Sequence, residues 1–216
     1  MKSDAANMRL SAAGVYCRKE VWKTYGYWSM LVGVAFFSIY PLCNWFAAQR
    51  SEVYRFYFDA ELNIPFVPEF FWIYMSLYLL FLLPPFFLNV LQLEMLGKRI
   101  VAGTLISGLL FLLFPSRLGY ERMAPEGVYG ELFGNLFAVD LPYNMAPSLH
   151  IVYSVFIVLA ICRASGRKVR MVMATWLGLI ALSTLLVHQH HMADIVSAWI
   201  LTIWITSKLI KGASHV

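Results

Sequence analysis

Apolar residues along this chain gather into six runs divided by short polar or charged stretches: about Tyr27 to Ala47, Phe70 to Leu91, Ile100 to Phe114, Leu149 to Ile161, Met171 to Val187 and Ile195 to Ile210. Each is long and apolar enough to predict a helix crossing a hydrocarbon layer of about 30 Å, the third and fourth being the shortest. Pro84 and Pro85 fall inside the second run, where the expectation is a kink within a continuing span, because neighbouring helices can take up the freed carbonyls. No internal repeat or low-complexity tract interrupts the pattern. The fold class read from it is all-α: a polytopic six-transmembrane-helix bundle forming one membrane domain over residues 1–216.

Composition points the same way. Hydrophobic residues make up 60% of the chain and charged residues 13%, against roughly a quarter charged in an ordinary soluble domain. The formal net charge of +5 does not make a nucleic-acid surface, since the basic residues sit in short clusters between apolar runs with no aromatic interleaving. Cys17, Cys43 and Cys162 are scattered and lack metal-ligand spacing, so neither a disulfide framework nor a cysteine metal site is expected. The polar segment 1–26 precedes the first run without a small-residue cleavage site, so that run is expected to stay as a helix.

Charge also orients the chain. With loops alternating sides, Lys2, Arg9, Arg18, Lys19, Lys23, Lys98, Arg99, Arg163, Arg167, Lys168, Arg170, Lys208 and Lys211 share one side, and only Arg50, Arg55, Arg117 and Arg122 lie on the other. Basic residues collect in the cytoplasm, which places both termini there and predicts an even number of crossings. Of the acids, Asp4, Glu20 and Glu94 fall inside and the rest outside. Two outer loops result. The first, near Gln49 to Glu69, reads as an aromatic belt at the headgroups through Val53, Tyr54, Phe56, Tyr57 and Phe58. The second, residues 115–147, contains an interfacial helix signal in Val128, Leu132, Phe133 and Leu136.

Candidate chemistry lies at the outer ends of the last three runs, where His150, His188, His190, His191 and Asp194 map together. Several ionisable groups converging at membrane depth read as function, because each needs a partner or water. In Asn144-Met145-Ala146-Pro147-Ser148-Leu149-His150 a loop turns into a helix, with Ser148 placed as a cap or first-turn residue. The free amides and dipole of that turn suit a phosphate, and His150 is placed to give a proton to an oxygen leaving phosphorus. In Ser183-Thr184-Leu185-Leu186-Val187-His188-Gln189-His190-His191-Met192-Ala193-Asp194, the carboxylate four residues after His190 can hold its Nδ1 proton and leave Nε2 as nucleophile.

The Pro147-to-His150 and Ser183-to-Asp194 segments resemble the second and third signatures of the type-2 phosphatidic acid phosphatase superfamily, whose six helices and signature positions parallel the topology read here. The resemblance implies His190 as phosphate-accepting nucleophile, Asp194 as its orienter, His150 as general acid and Ser148 as a phosphate contact; Ser183 and Thr184 are further candidates at the phosphate. The family's arginine after the Ser183 position is Thr184 here. Its first signature, Lys-x6-Arg-Pro, matches only at Arg122, with Pro115 at the Lys position and Met123 after the Arg. Arg117 and Arg122 are therefore the candidates for a phosphate-facing cation, a headgroup contact being the other use of either. The run from Gln189 to Asp194 is also similar to the phosphotransferase branch represented by inositol phosphorylceramide and sphingomyelin synthases.

The expectation is a lipid phosphate phosphatase in a bacterial inner (plasma) membrane with its site on the periplasmic face, acting on a phosphorylated lipid among membrane lipids, with no cofactor, no metal and no nucleic-acid partner. Transfer to a lipid alcohol acceptor is the alternative. A Zn²⁺ site of His188, His190 or His191 with Asp194 leaves His150 unexplained, and a proton-coupled transporter or scramblase leaves the His190–Asp194 spacing unexplained.

Overall fold

The computed structural model of this chain describes the backbone of residues 2–213 and the side chains of residues 18–208. Lys2, Asp4, Arg9, Cys17 and Lys211, used above for orientation and redox context, lie outside the described side chains. The chain is all-helical: α1 (Lys2–Ala48), α2 (Phe71–Met75), α3 (Leu77–Leu82), α4 (Pro84–Phe87), α5 (Val90–Leu113), α6 (Val128–Val139), α7 (Leu149–Ala164), α8 (Arg167–Leu186) and α9 (Met192–Ala213), with 3-10 turns at Asp59–Asn63 and Pro68–Phe70. Among the described residues extended pairing is limited to isolated bridges, Tyr54 with Ser116 and Arg117 with Tyr143.

Residues Arg18–Ala48 of α1, together with α5 and α8, form three helices long and apolar enough to cross a membrane, and Pro68–Leu82 and α7 are shorter apolar helices. Their outward faces carry Phe37 at 75%, Leu91 at 65% and Met171 at 60% exposure. Large apolar side chains exposed over so many helices suit acyl chains rather than water, and are compatible with an integral membrane protein.

Helix α7 is the core. Ile151, Val152, Val155, Ile157 and Ile161 on its successive turns are fully buried, as a helix apolar on every face must be. Helices α3, α4, α5, α8 and α9 pack around it, and α1 lies mainly along α5. Small residues let α1 and α5 approach: a Cβ on Gly97 would meet the Trp28 ring and one on Gly108 the Ile39 side chain. Gly97 and Gly108 stand eleven residues apart, three turns, and so share one face.

The second apolar run departs from expectation. Rather than one kinked span to Leu91, it breaks into α2, α3 and α4 and gives way to extended backbone at Leu88 and Asn89. Proline cannot donate to the helix ladder, and Asn89 then starts a new helix. Its side chain accepts from the Gln92 amide at 2.9 Å, and Gln92 reciprocates on the Asn89 amide at 3.0 Å, a capping box. Helix α5 therefore begins ten residues before the expected Ile100 and takes in Lys98 and Arg99, which read from sequence as loop cations. The expected loop helix is α6, and its Phe133 packs against Phe71, Tyr74 and Val187.

Candidate active site

The helix ends build this site. At the close of α8 the chain turns back through His188, whose φ of 53° is the left-handed conformation usually given to glycine after a helix. The amides of Gln189 and His190 both donate to the Thr184 carbonyl, at 3.0 and 3.1 Å, closing the orphan end of the helix. A non-glycine residue in this conformation costs about 1–2 kcal/mol. His188 offsets it through its ring, which stacks on Tyr120 at 3.9 Å and donates from Nε2 to the Ile64 carbonyl at 2.9 Å.

At the start of α9, Asp194 serves two partners with one oxygen. Its Oδ2 accepts the His191 amide at 2.8 Å, the back-bond that fastens a helix N-terminus, and lies 3.2 Å from Nδ1 of His190. A carboxylate only accepts, so Nδ1 carries the hydrogen, and in the neutral ring Nε2 keeps its lone pair. Asp194 is fully buried, and its Oδ1 has no hydrogen-bond partner. The α7 start is tied to the same point: the Ser148 amide donates to the Asp194 carbonyl at 3.1 Å, and Ser148 Oγ accepts the Ile151 amide at 3.4 Å as the helix cap.

His150 lies in the first turn of α7. Its ring stacks on Tyr74 at 4.1 Å, and Nε2 donates to the Tyr74 carbonyl at 2.8 Å. His150 and His190 line one cavity of about 820 Å³, together with Tyr40, Tyr74, Asp140 and Asn144 at that end. From there the cavity continues between α1, α3, α5 and α7 past Phe36, Leu96 and Ile100 to Tyr25. Tyr40 and Tyr25 are fifteen residues apart on α1, about 22 Å at 1.5 Å per residue, and most of the thickness of a hydrocarbon layer.

The other sequence candidates are placed differently. Ser183 and Thr184 are buried, and their hydroxyls donate back to the carbonyls of Ile180 and Ala181 at 2.7 and 2.8 Å. Neither they nor Ser148 line the cavity. Arg117 is exposed. Arg122 lies over the Phe137 ring at 4.7 Å and donates to the Asp140 carbonyl at 2.6 Å; burial lowers its pKa while Asp140 raises it. Arg122→Ala is therefore expected to reduce any turnover at this cavity, and Arg117→Ala to leave it near the parental rate. A charge-assisted hydrogen bond is worth about 1.5–3 kcal/mol, so its loss, felt at the site, is about ten- to a hundredfold. Steady-state rates of the two variants side by side check this.

Several residues that hold the site carried no sequence signal of their own. In the loop expected as an aromatic belt, Tyr57 packs over the His loop while Tyr54 and Phe58 stay exposed. Tyr57 stacks on His191 at 4.4 Å, His191 on Tyr120 at 4.4 Å, and Tyr120 on His188, a column of four rings. A Cβ on Gly119 would run into the Tyr57 ring, and the Gly119 amide donates to His191 Nε2 at 3.0 Å. The other ring nitrogen of His191 therefore carries its hydrogen toward Glu61, 3.5 Å away. Glu61 is buried and also accepts the amides of Met192 at 2.8 Å and Phe58 at 3.1 Å. Burial lowers the pKa of His191 against the opposing pull of Asp194 and Glu61. Tyr120 is pushed up to about 12 by burial, then by Glu61 and Asp194.

The three neighbouring histidines thus face three different partners. Among the described residues no group of three His, Cys, Asp or Glu side chains converges as a metal-ligand set. What the cavity end presents is an imidazole with its lone pair free, backed by a buried carboxylate, at the head of an apolar channel. Comparison with protein-family models, with curated proteins and with solved structures finds no match to this chain.

Proposed function

We propose that this chain is a membrane lipid phosphate phosphatase in which His190 attacks phosphorus. The observation that carries the reading is the His190–Asp194 pair at the polar end of a long apolar cavity. The Asp194 contact on Nδ1 supports Nε2 as the nucleophile, and the channel's length and apolar lining suit a hydrocarbon tail beside α1 with its phosphate at the histidines. His150, Asp140 and the Tyr40 and Tyr74 hydroxyls are the other groups at that end able to exchange a proton with the ester oxygens. The sequence resemblance described above supports the same reaction class.

In this reading the helices make six crossings with both ends of the chain cytoplasmic, and the site opens on the outer face of a bacterial inner membrane. A cysteine introduced at Glu126, in a background lacking Cys162, is expected to react with a membrane-impermeant thiol reagent in intact cells. Reaction only after permeabilisation reverses the orientation.

Transfer to a lipid alcohol instead of water is favoured by one observation: among the described residues no arginine or lysine lines the cavity, which parallels the smaller set of signature arginines in the phosphotransferase branch. Purified protein incubated with a panel of lipid phosphates, with and without a lipid alcohol, separates the two by mass analysis of every phosphorus-containing product. Inorganic phosphate as product marks hydrolysis and a new phosphorylated lipid marks transfer. Absence of any turnover returns the chain to the transporter or scramblase reading.

A further inference from the structure

Helix α5 takes Arg99 out of the loop expected for it and buries it, at 6% exposure. Gly103, one turn further along the same face, shows what lies opposite. A Cβ there would stand 3.0 Å from Phe156 and Val152 of α7 and 3.9 Å from Ile205 of α9. The guanidinium is enclosed without being satisfied. Its Nε and Nη2 are buried and have no hydrogen-bond partner among the described residues, and the hydroxyl of Thr206, next to Ile205 on α9, is a buried orphan too.

Among the described residues no carboxylate answers this charge. The arginine and lysine ion pairs there are Lys23 with Glu20 and Arg55 with Asp59. Glu94 lies on the α1 side of α5, beside Lys23 and Lys98 around a separate pocket. From Leu141 to Val216 the chain has a single acid, Asp194, at the other end of α9. What bears on Arg99 is more positive charge: Arg163, in the last turn of α7, is close enough for the two to repel. Arg167, Lys168, Arg170 and Lys208 are exposed at the same end. Arginine keeps its proton in proteins, and an unpaired buried charge in a membrane helix costs enough to require a partner.

Phe111, whose ring meets Tyr40 at the head of the cavity, lies twelve residues after Arg99, about 18 Å at 1.5 Å per residue. Arg99 therefore sits toward the opposite membrane face from His190, the cytoplasmic one in the orientation proposed above. We propose that Arg99 and Arg163 hold the phosphate of an anionic phospholipid of that leaflet, between the ends of α5, α7 and α9. A guanidinium presents paired planar donors to phosphate oxygens, and basic gaps between helices on the cytoplasmic side suit lipid headgroups. The long side chain lets the guanidinium swing out to headgroup level, as arginines near helix ends do. Above the headgroup, Ile200, Ile203 and Trp204 of α9 are exposed, an apolar surface on which acyl chains can lie. The site does not depend on the reaction proposed for His190.

The test places the full chain in nanodiscs of phosphatidylcholine with or without phosphatidylglycerol, and reads the thermal unfolding midpoint and the lipid retained in native mass spectrometry. The parent is expected to unfold about 5–10 °C higher with phosphatidylglycerol, the effect of a ligand at about a hundred times its Kd on a chain of this size, and to retain that lipid. Arg99→Gln should unfold no lower than the parent in phosphatidylcholine alone, because an unsatisfied charge has gone, and should gain nothing from phosphatidylglycerol. Arg163→Gln should lose part of the gain, and Lys98→Gln, which removes an exposed cation on the α1 side, should keep it. Arg99→Gln unfolding well below the parent in phosphatidylcholine alone gives the guanidinium an internal partner and overturns the proposal. An undiminished gain in Arg99→Gln, or an equal loss in Lys98→Gln, reduces the effect to surface charge and overturns it as well. An equal shift from inorganic phosphate in phosphatidylcholine discs makes the ligand a free anion and overturns the lipid.

Discussion

His190→Ala is expected to abolish turnover of lipid and aryl phosphates alike while leaving the fold in place. Loss of a covalent nucleophile removes the whole route, a change of about 10⁶-fold where such groups act as a unit. The variant leaves the local scaffold intact, because the His190 backbone amide still closes α8 on Thr184 and the column of Tyr57, His191, Tyr120 and His188 does not use its side chain. The parent protein, quenched in base during turnover of a labelled substrate, should carry an acid-labile phosphoryl group that His190→Ala lacks. Parental turnover by the variant would move the reaction to another residue. His191 is poorly placed for it, since both its ring nitrogens face inward, to Gly119 and Glu61.

Asp194→Asn should be nearly as severe and equally indifferent to the leaving group. Asparagine can still place an oxygen where Oδ2 accepts from His191 and His190. It has no negative charge to stabilise the imidazolium that forms as His190 bonds to phosphorus. Replacing the buried carboxylate behind a catalytic histidine costs about 10⁴-fold in well-studied hydrolases. The two esters, measured at saturating concentration, should fall together. That pattern distinguishes an orienting carboxylate from a proton donor, whose loss spares the better leaving group. A small change in Asp194→Asn would mean that the 3.2 Å contact does no more than secure the start of α9.

Much of the architecture is legible because it is local. Runs of apolar residues predict helices wherever the bilayer is the solvent, and α1, α5, α7, α8 and α9 cover five of the six runs. The Ser148 cap and the four-residue step from His190 to Asp194 are short-range geometry, set by the pitch of a helix and the shape of its first turn. The second run misleads because hydropathy does not register where backbone hydrogen bonds fail. Two adjacent prolines followed by an asparagine–glutamine capping box end one helix and begin another inside a single apolar stretch.

The chain's apolar periodicity, its charge asymmetry and the spacing of its histidines determine by themselves an all-helical protein with a candidate histidine–aspartate pair at one end. Only the tertiary structure decides what surrounds that pair. Glu61 meets Met192 across 131 positions of sequence, Tyr40 meets Asp140 across 100, and His150 meets the Tyr74 carbonyl across 76. No local pattern encodes such contacts. They arise when α1, the broken α2–α4 segment and the outer loops pack around α7, and burial then requires each polar group to find a partner. The same packing brings the Asp140 side chain to the cavity wall, where its partners Tyr40 and Asn44 come from the far end of the sequence, whereas the Ser183 and Thr184 hydroxyls bond back to carbonyls three residues earlier, a contact set by position along the helix.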